Sequence, residues 1–287
     1  MKSIRDFFEL IKFEHTIFAL PFAYLGMLLA ADGWPSFHQF FWITVAMAAA
    51  RTTAMGFNRI VDRGIDAHNP RTFNRPLVTG AISLPTAWSG TILAALLLAL
   101  AAWRLGALPL RLLPGAYACL FLYSYTKRFT WLSHFLLGFT DGLAPMGAWA
   151  AIRGSLFTTT DVPAWLLLGI VTFWIGGFDM IYACQDVPYD LQDGLQSIPA
   201  RFGIRTALRL SALCHAITAI LLILLGVWTA LGWPYWIGSA ITIVLLTWEH
   251  LLVRPDDLSR IDLAFFNINS YISVTLLVSI LAGLWLS

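Results

Sequence analysis

Residues 41–76 read FWITVAMAAARTTAMGFNRIVDRGIDAHNPRTFNRP. An apolar run of bilayer-spanning length ends in Asn58, Asp62 and Asp66, three oxygen-bearing side chains at four-residue spacing, with arginines between and behind them. The apolar run decides the fold class, and its acidic end points to the chemistry.

Windows of about 17 to 25 apolar residues cross a bilayer as helices. Nine such windows are counted, at 16–32, 39–58, 85–103, 109–127, 132–151, 164–184, 207–228, 233–252 and 264–286. The chain of 287 residues is 59% hydrophobic and 12% charged, with mean hydropathy +0.73; a soluble domain carries about 25% charged residues. Lipid tolerates only helices or closed barrels, and continuous apolar runs are not the alternating pattern of barrel strands. The expected fold is an all-α polytopic membrane protein with nine transmembrane helices.

Lys and Arg set the orientation. The N-terminus and the loops after windows 2, 4, 6 and 8 hold 14 of them, the opposite loops only Arg104, Arg111 and Arg153. The positive-inside rule then puts the N-terminus in the cytoplasm and the C-terminus outside. The first window is long and eight more follow, so it is read as a span and not a cleaved signal. Cys119, Cys184 and Cys214 lie singly in apolar helices and are expected as free thiols.

A second acidic group follows the sixth window in YACQDVPYDLQDG, with Asp186 and Asp190. Four spans separate it from the first, so both lie at equivalent ends of parallel helices, as in a parallel repeat. Residues four apart on a helix rise about 6 Å per step, which puts Asn58 and Asp66 about 12 Å apart. Mg²⁺ binds oxygen at about 2.0–2.1 Å, so one ion cannot gather all three. Two such ladders suit a diphosphate held between bridging Mg²⁺ ions. The cations Arg71, Arg75, Lys127 and Arg128 complete a clamp on phosphoryl oxygens, and they would be wasted on a cation transporter, the rival reading. There is no phosphate-binding G-x-x-x-x-G-K-[ST] loop and no D-x-x-D-G signature of the alcohol phosphotransferases.

The blocks NRIVDRGIDAHNPRTFNRPLVTG, YSYTKR and YACQDVPYDLQDG resemble the UbiA superfamily of intramembrane prenyltransferases, in its 4-hydroxybenzoate polyprenyltransferase-like group. The resemblance spans essentially the whole chain and implies one domain, 1–287. It implies that Asn58, Asp62 and Asp66 form the first Mg²⁺ and diphosphate motif, Asp186 and Asp190 the second, and that Lys127 and nearby arginines contact the diphosphate. The implied substrates are an allylic polyprenyl diphosphate and an aromatic hydroxy acid, in ubiquinone synthesis or, with a dihydroxynaphthoate, menaquinone synthesis. Arg59 stands where many members carry Asp, and Pro188 is expected to kink or end the sixth helix near Cys184.

The expected catalytic set is therefore Asp62, Asp66, Asp186, Asp190 and Lys127. Asn58, Arg51, Arg71, Arg75, Tyr123, Tyr125, Tyr182 and His15 are expected to bind substrate. Arg51, seven residues before Asn58, is a cation inside a span and needs an anion. Tyr123, Tyr125 and Tyr182 lie near the charged motifs, where aromatic faces stabilise a cation. His15 sits at the mouth of the first span. The lipid bilayer is the expected surrounding, the inner cell membrane the location, and the cytoplasm the side the active site faces. No nucleic-acid ligand and no obligatory protein partner are expected.

Overall fold

The computed structural model describes residues 6–286 except 8, 12 and 13, and for 14–19 and 265–266 it describes the backbone alone. Its architecture is all-helical: α1 (Glu14–Ala31), α2 (Phe37–Val61), α3 (Arg63–His68), α4 (Leu84–Leu105), α5 (Ala107–Thr126) and α6 (Ser133–Arg153) make the first part. The second part is α7 (Val162–Ala183), α8 (Val187–Gln192), α9 (Ile198–Phe202), α10 (Ile204–Thr229), α11 (Trp233–Leu252) and α12 (Asn269–Trp285). Each of the nine apolar windows coincides with a long helix. Among the described residues seven segments are long and apolar enough to cross a membrane, and Leu20–Ala31 and Asn269–Trp285 are shorter apolar helices.

The outer faces are apolar. Leu93, Leu96, Leu97 and Leu100 on α4, and Ile220, Ile223, Leu224 and Val227 on α10, are exposed at helical spacing. A stripe of that kind is stable against lipid tails and is rare on a water-soluble monomer. Inside, packing depends on small residues that let backbones approach. A Cβ added at Gly138 of α6 would lie 2.2 Å from the Thr172 carbonyl oxygen of α7, and one at Gly26 of α1 would lie 2.0 Å from that of Pro145. Helix α6 is thereby wedged between α1 and α7, beside a core that includes Phe22, Trp149, Trp174 and Tyr235.

Both acid-bearing helices break at their motif. Helix α7 ends at Ala183 and a 3₁₀ turn, Cys184–Asp186, leads into α8, where Pro188 occupies the first turn. Proline lacks an N–H and fits a first turn, where that group would be unpaired, so the expected break near Cys184 is present. The first motif departs from the expected straight ladder. Asp62, at φ −88° and ψ 3°, is both the end of α2 and the start of α3. The backbone bonds from Asp62 to Asn58 and from Asp66 to Asp62 persist across this junction, so the motif is divided between two helices while its four-residue spacing is kept.

Candidate active site

The two broken helix ends and the loops behind them close the head of one cavity of about 870 Å³. Asn58, Asp62, Asp66, Asp186 and Asp190 all line it, as do Arg71, Arg75 and Lys127. The two motifs, 128 residues apart, therefore face one another. Below them the walls turn apolar, with Ile43, Met47, Leu113, Leu143, Ile175 and Phe178 among the lining.

Each carboxylate at the head already has a partner. Asp62, 1% exposed, meets Lys127 Nζ at 2.7 Å and Arg128 Nη2 at 2.9 Å, and accepts from the Asn58 amide at 3.0 Å. Asp66 meets Arg75 at 2.5 Å. Arg71 reaches across to the other wall and donates twice to Asp186, from Nε at 3.1 Å and from Nη2 at 2.7 Å. Its remaining Nη1 donates to the Tyr182 hydroxyl at 3.0 Å. Burial works against the Arg71 charge, but the hydrogen bonds and negative charge of Asp186 outweigh it and raise the guanidinium above its ordinary pKa. Asp190 accepts from the Ser197 hydroxyl at 2.7 Å.

The Asn-Pro-Arg-Thr loop is built to make that crossing. The Asn69 carboxamide oxygen accepts from the Arg71 backbone N–H at 2.9 Å and its Nδ2 donates to Asp186 at 3.4 Å. The Tyr189 hydroxyl lies 2.6 Å from the Ile65 carbonyl, a second tie between the walls. Arg59, buried, donates to the Leu10 carbonyl and to Asn58 Oδ1. A residue that departs from the family pattern thus orients the first oxygen of the motif.

The donor set is all oxygen, the chemistry of Mg²⁺ and not of zinc. Among the described residues no three His, Cys, Asp or Glu side chains converge on one metal position. An ion here fits with one or two carboxylates and takes the rest of its shell from water and ligand oxygens.

The remaining expectations divide. Arg51 lines the cavity two helical turns below Asn58; its Nε is buried with no hydrogen-bond partner among the described residues, and Asp141 is the acid that acts on it. Tyr123 and Tyr182 line the cavity, Tyr123 donating to the Ala54 carbonyl at 3.0 Å. Tyr125 is a correction: it is 40% exposed, lies outside the cavity lining, packs on Phe57 and sits under Arg128. Residues two apart on a helix point to different faces, so Tyr123 and Tyr125 cannot both look inward. The His15 side chain lies outside the described residues. Cys119, Cys184 and Cys214 are free thiols. The expectations did not include Asp141, Asp179 and His134, which also line the cavity; an ionisable residue within an apolar window is the signal that marks each of them.

A cavity with an oxygen-and-cation head and an apolar body, among helices apolar enough to cross a membrane, has the form of a site for an amphiphilic ligand. The sequence matches the UbiA prenyltransferase family over residues 19–271, and the chain belongs to that family. It is similar to the 4-hydroxybenzoate octaprenyltransferase of Methylobacillus flagellatus, 32% identical over 90% of this chain and 85% of the relative. That of Aromatoleum aromaticum is 34% identical over 89% and 85%. Among solved structures, the apo UbiA homologue from Aeropyrum pernix K1 superposes with a TM-score of 0.85 at 32% identity, covering 94% of this chain and 98% of that one. A UbiA homologue from Archaeoglobus fulgidus, bound to DMAPP and Mg²⁺, shares the fold, with a TM-score of 0.68 at 20% identity over 94% of this chain and 99% of that one.

Proposed function

We propose that this chain transfers a polyprenyl group from an allylic polyprenyl diphosphate to the ring of an aromatic hydroxy acid of the 4-hydroxybenzoate type, in quinone synthesis. One observation carries the reading: acidic and cationic side chains from two facing motifs crowd the head of a cavity whose body is apolar. The names of the relatives support 4-hydroxybenzoate over a dihydroxynaphthoate as acceptor. A prenyltransferase family supports an enzyme over a cation transporter.

In this reading Asn58, Asp62 and Asp66 on one side, and Asp186 and Asp190 on the other, hold Mg²⁺. Bound there, Mg²⁺ neutralises the charge that grows on the departing diphosphate. Lys127, Arg71 and Arg75 exchange their carboxylate partners for diphosphate oxygens when these arrive, which keeps every buried charge compensated. The allylic C–O bond breaks with its electron pair on the diphosphate, and the ring carbon beside the acceptor hydroxyl bonds to the allylic carbon. The apolar walls keep water from the cation, and the faces of Tyr123 and Tyr182 stabilise it. Arg51 pairs with the acceptor carboxylate, the anion its unpartnered buried Nε calls for.

The cavity is lined by residues from Glu9 to Ser270, which supports a single domain, 1–287. Charge asymmetry supports nine spans with the N-terminus and the cavity head on the cytoplasmic face of the inner cell membrane and the C-terminus outside. The catalytic set is Asp62, Asp66, Asp186, Asp190 and Lys127, working without an obligatory protein partner. The experiment is membranes containing the chain, Mg²⁺, a polyprenyl diphosphate and 4-hydroxybenzoate, with the product followed by mass spectrometry. Prenylated acid that disappears in excess chelator is the expected result; product that persists in chelator contradicts the metal-diphosphate mechanism.

A further inference from the structure

Each turnover of that reaction leaves one proton on the ring carbon that has been alkylated, inside an apolar cavity. Among the described residues the acids lining the cavity are Glu9, Asp62, Asp66, Asp141, Asp179, Asp186 and Asp190. Glu9 is exposed. Asp62, Asp66 and Asp186 are ion-paired to Lys127, Arg128, Arg75 and Arg71, and Asp190 is held by Ser197. Asp141 feels the charge of Arg51 but closes no ion pair with it among the described residues. An acid tied to a cation is a poor proton acceptor.

Asp179 is held differently. Its Oδ2 lies 2.7 Å from His134 Nδ1, while its Oδ1 makes no hydrogen bond among the described residues. His134 is 3% exposed, and its Nε2 accepts from the Ile198 backbone N–H at 3.3 Å. A nitrogen that accepts carries no proton, so the neutral ring has its proton on Nδ1 and donates to Asp179. His134 therefore fixes one carboxylate oxygen and leaves the other turned to the cavity, without placing a permanent cation beside it.

The depth is suitable. Asp179 on α7 precedes Asp186, in the 3₁₀ turn that follows, by seven residues, and Arg51 precedes Asn58 by seven on α2. At 1.5 Å per residue each lies about 10 Å below its motif. Asp179 thus stands at the level of the cation assigned to the acceptor carboxylate, across the cavity from it.

We infer that Asp179 is the base of the reaction, with His134 as its positioning residue. The bond from the alkylated ring carbon to hydrogen breaks, its electron pair restores the aromatic ring, and the proton goes to Asp179 Oδ1. The Ile198 contact also ties the base to the second motif, because the neighbouring Ser197 holds Asp190.

This inference rests on the reading under Proposed function, and one experiment separates the two. The full chain is assayed in membranes with Mg²⁺, a polyprenyl diphosphate and 4-hydroxybenzoate carrying either hydrogen or deuterium at the two ring positions beside the hydroxyl. Asp179→Asn is expected to lower product formation by about 10²- to 10⁴-fold, the usual contribution of a general base. Proton loss then limits the rate, so a primary deuterium isotope effect larger than that of the unaltered chain is expected. Mg²⁺-dependent binding of a non-ionisable thio analogue of the diphosphate is expected to be unchanged, which shows that the variant is folded. Asp179→Glu, which keeps the carboxylate, is expected to be more active than Asp179→Asn, and His134→Gln to show an intermediate rate with the raised isotope effect. Asp179→Asn within threefold of the unaltered chain, a loss without a raised isotope effect, or equal inactivity of the Asn and Glu variants overturns the assignment. Absence of prenylated acid from the unaltered chain overturns the parent reading itself.

Discussion

The head and the floor of the cavity handle charge in opposite ways. At the head, Asp62, Asp66 and Asp186 are matched with Lys127, Arg128, Arg75 and Arg71 at 2.5–2.9 Å. On the floor, among the described residues, Arg51 has a buried Nε without a partner and Asp179 an oxygen that makes no hydrogen bond. Pairing offsets much of the desolvation cost of buried charges, whereas an unmet donor costs about 1–3 kcal/mol and more when charged. The head is a set of pairs that opens for a polyanion carrying its own cations. In the proposed reading the acceptor carboxylate meets Arg51, and the Asp179 oxygen stays open to take a proton.

The largest expected effect comes from breaking the head. Asp62→Asn combined with Asp190→Asn removes one acid from each wall; each loss of transition-state charge stabilisation is worth about 10²- to 10³-fold, so product falls below detection by mass spectrometry. Breaking the floor has a smaller and more selective effect. Arg51→Met removes charge-assisted hydrogen bonds to the acceptor, worth about 1.5–3 kcal/mol. The KM for 4-hydroxybenzoate is expected to rise about tenfold to a hundredfold with the KM for the diphosphate nearly unchanged. Arg71→Lys keeps the charge but loses the double contact to Asp186 and the bond to Tyr182. Since lysine does not reproduce a planar fork, the KM for the diphosphate is expected to rise about tenfold and that for the acid to stay put. Tyr125→Ala touches the head only through Arg128, which lies over its ring, and is expected to change kcat/KM by less than about twofold in the same assay, because Tyr125 packs outside the cavity.

The head was legible in the sequence and most of the floor was not, for a physical reason. Asp62 and Asp190 belong to runs in which oxygens recur every four residues at the ends of apolar windows, so spacing alone brings them onto one face. Pro188 announced its own break, since a missing N–H has a purely local effect. The break at Asp62 was not announced, because no proline or glycine stands at that position. Asp141 and Asp179 are solitary acids in the windows 132–151 and 164–184. What gives Asp179 its geometry is His134, 45 residues away on a different helix, a relation that no periodicity encodes. Nearness in sequence also misled in one case: Tyr125 is two residues from Lys127 but on a different face of its helix.

The central claim is that the head binds a diphosphate only together with Mg²⁺. It is tested most directly by titrating the purified chain, in lipid nanodiscs, with a non-ionisable thio analogue of the polyprenyl diphosphate, with Mg²⁺ and with excess chelator. Submicromolar to micromolar binding with Mg²⁺ that weakens by about a hundredfold or more in chelator, with the same loss in Asp62→Asn, is the result expected when metal bridges supply several kcal/mol of charge stabilisation. Equal affinity in both conditions would contradict the account, because Lys127, Arg71 and Arg75 alone would then hold the diphosphate and the five oxygen-bearing side chains of the two motifs would have no part in binding it.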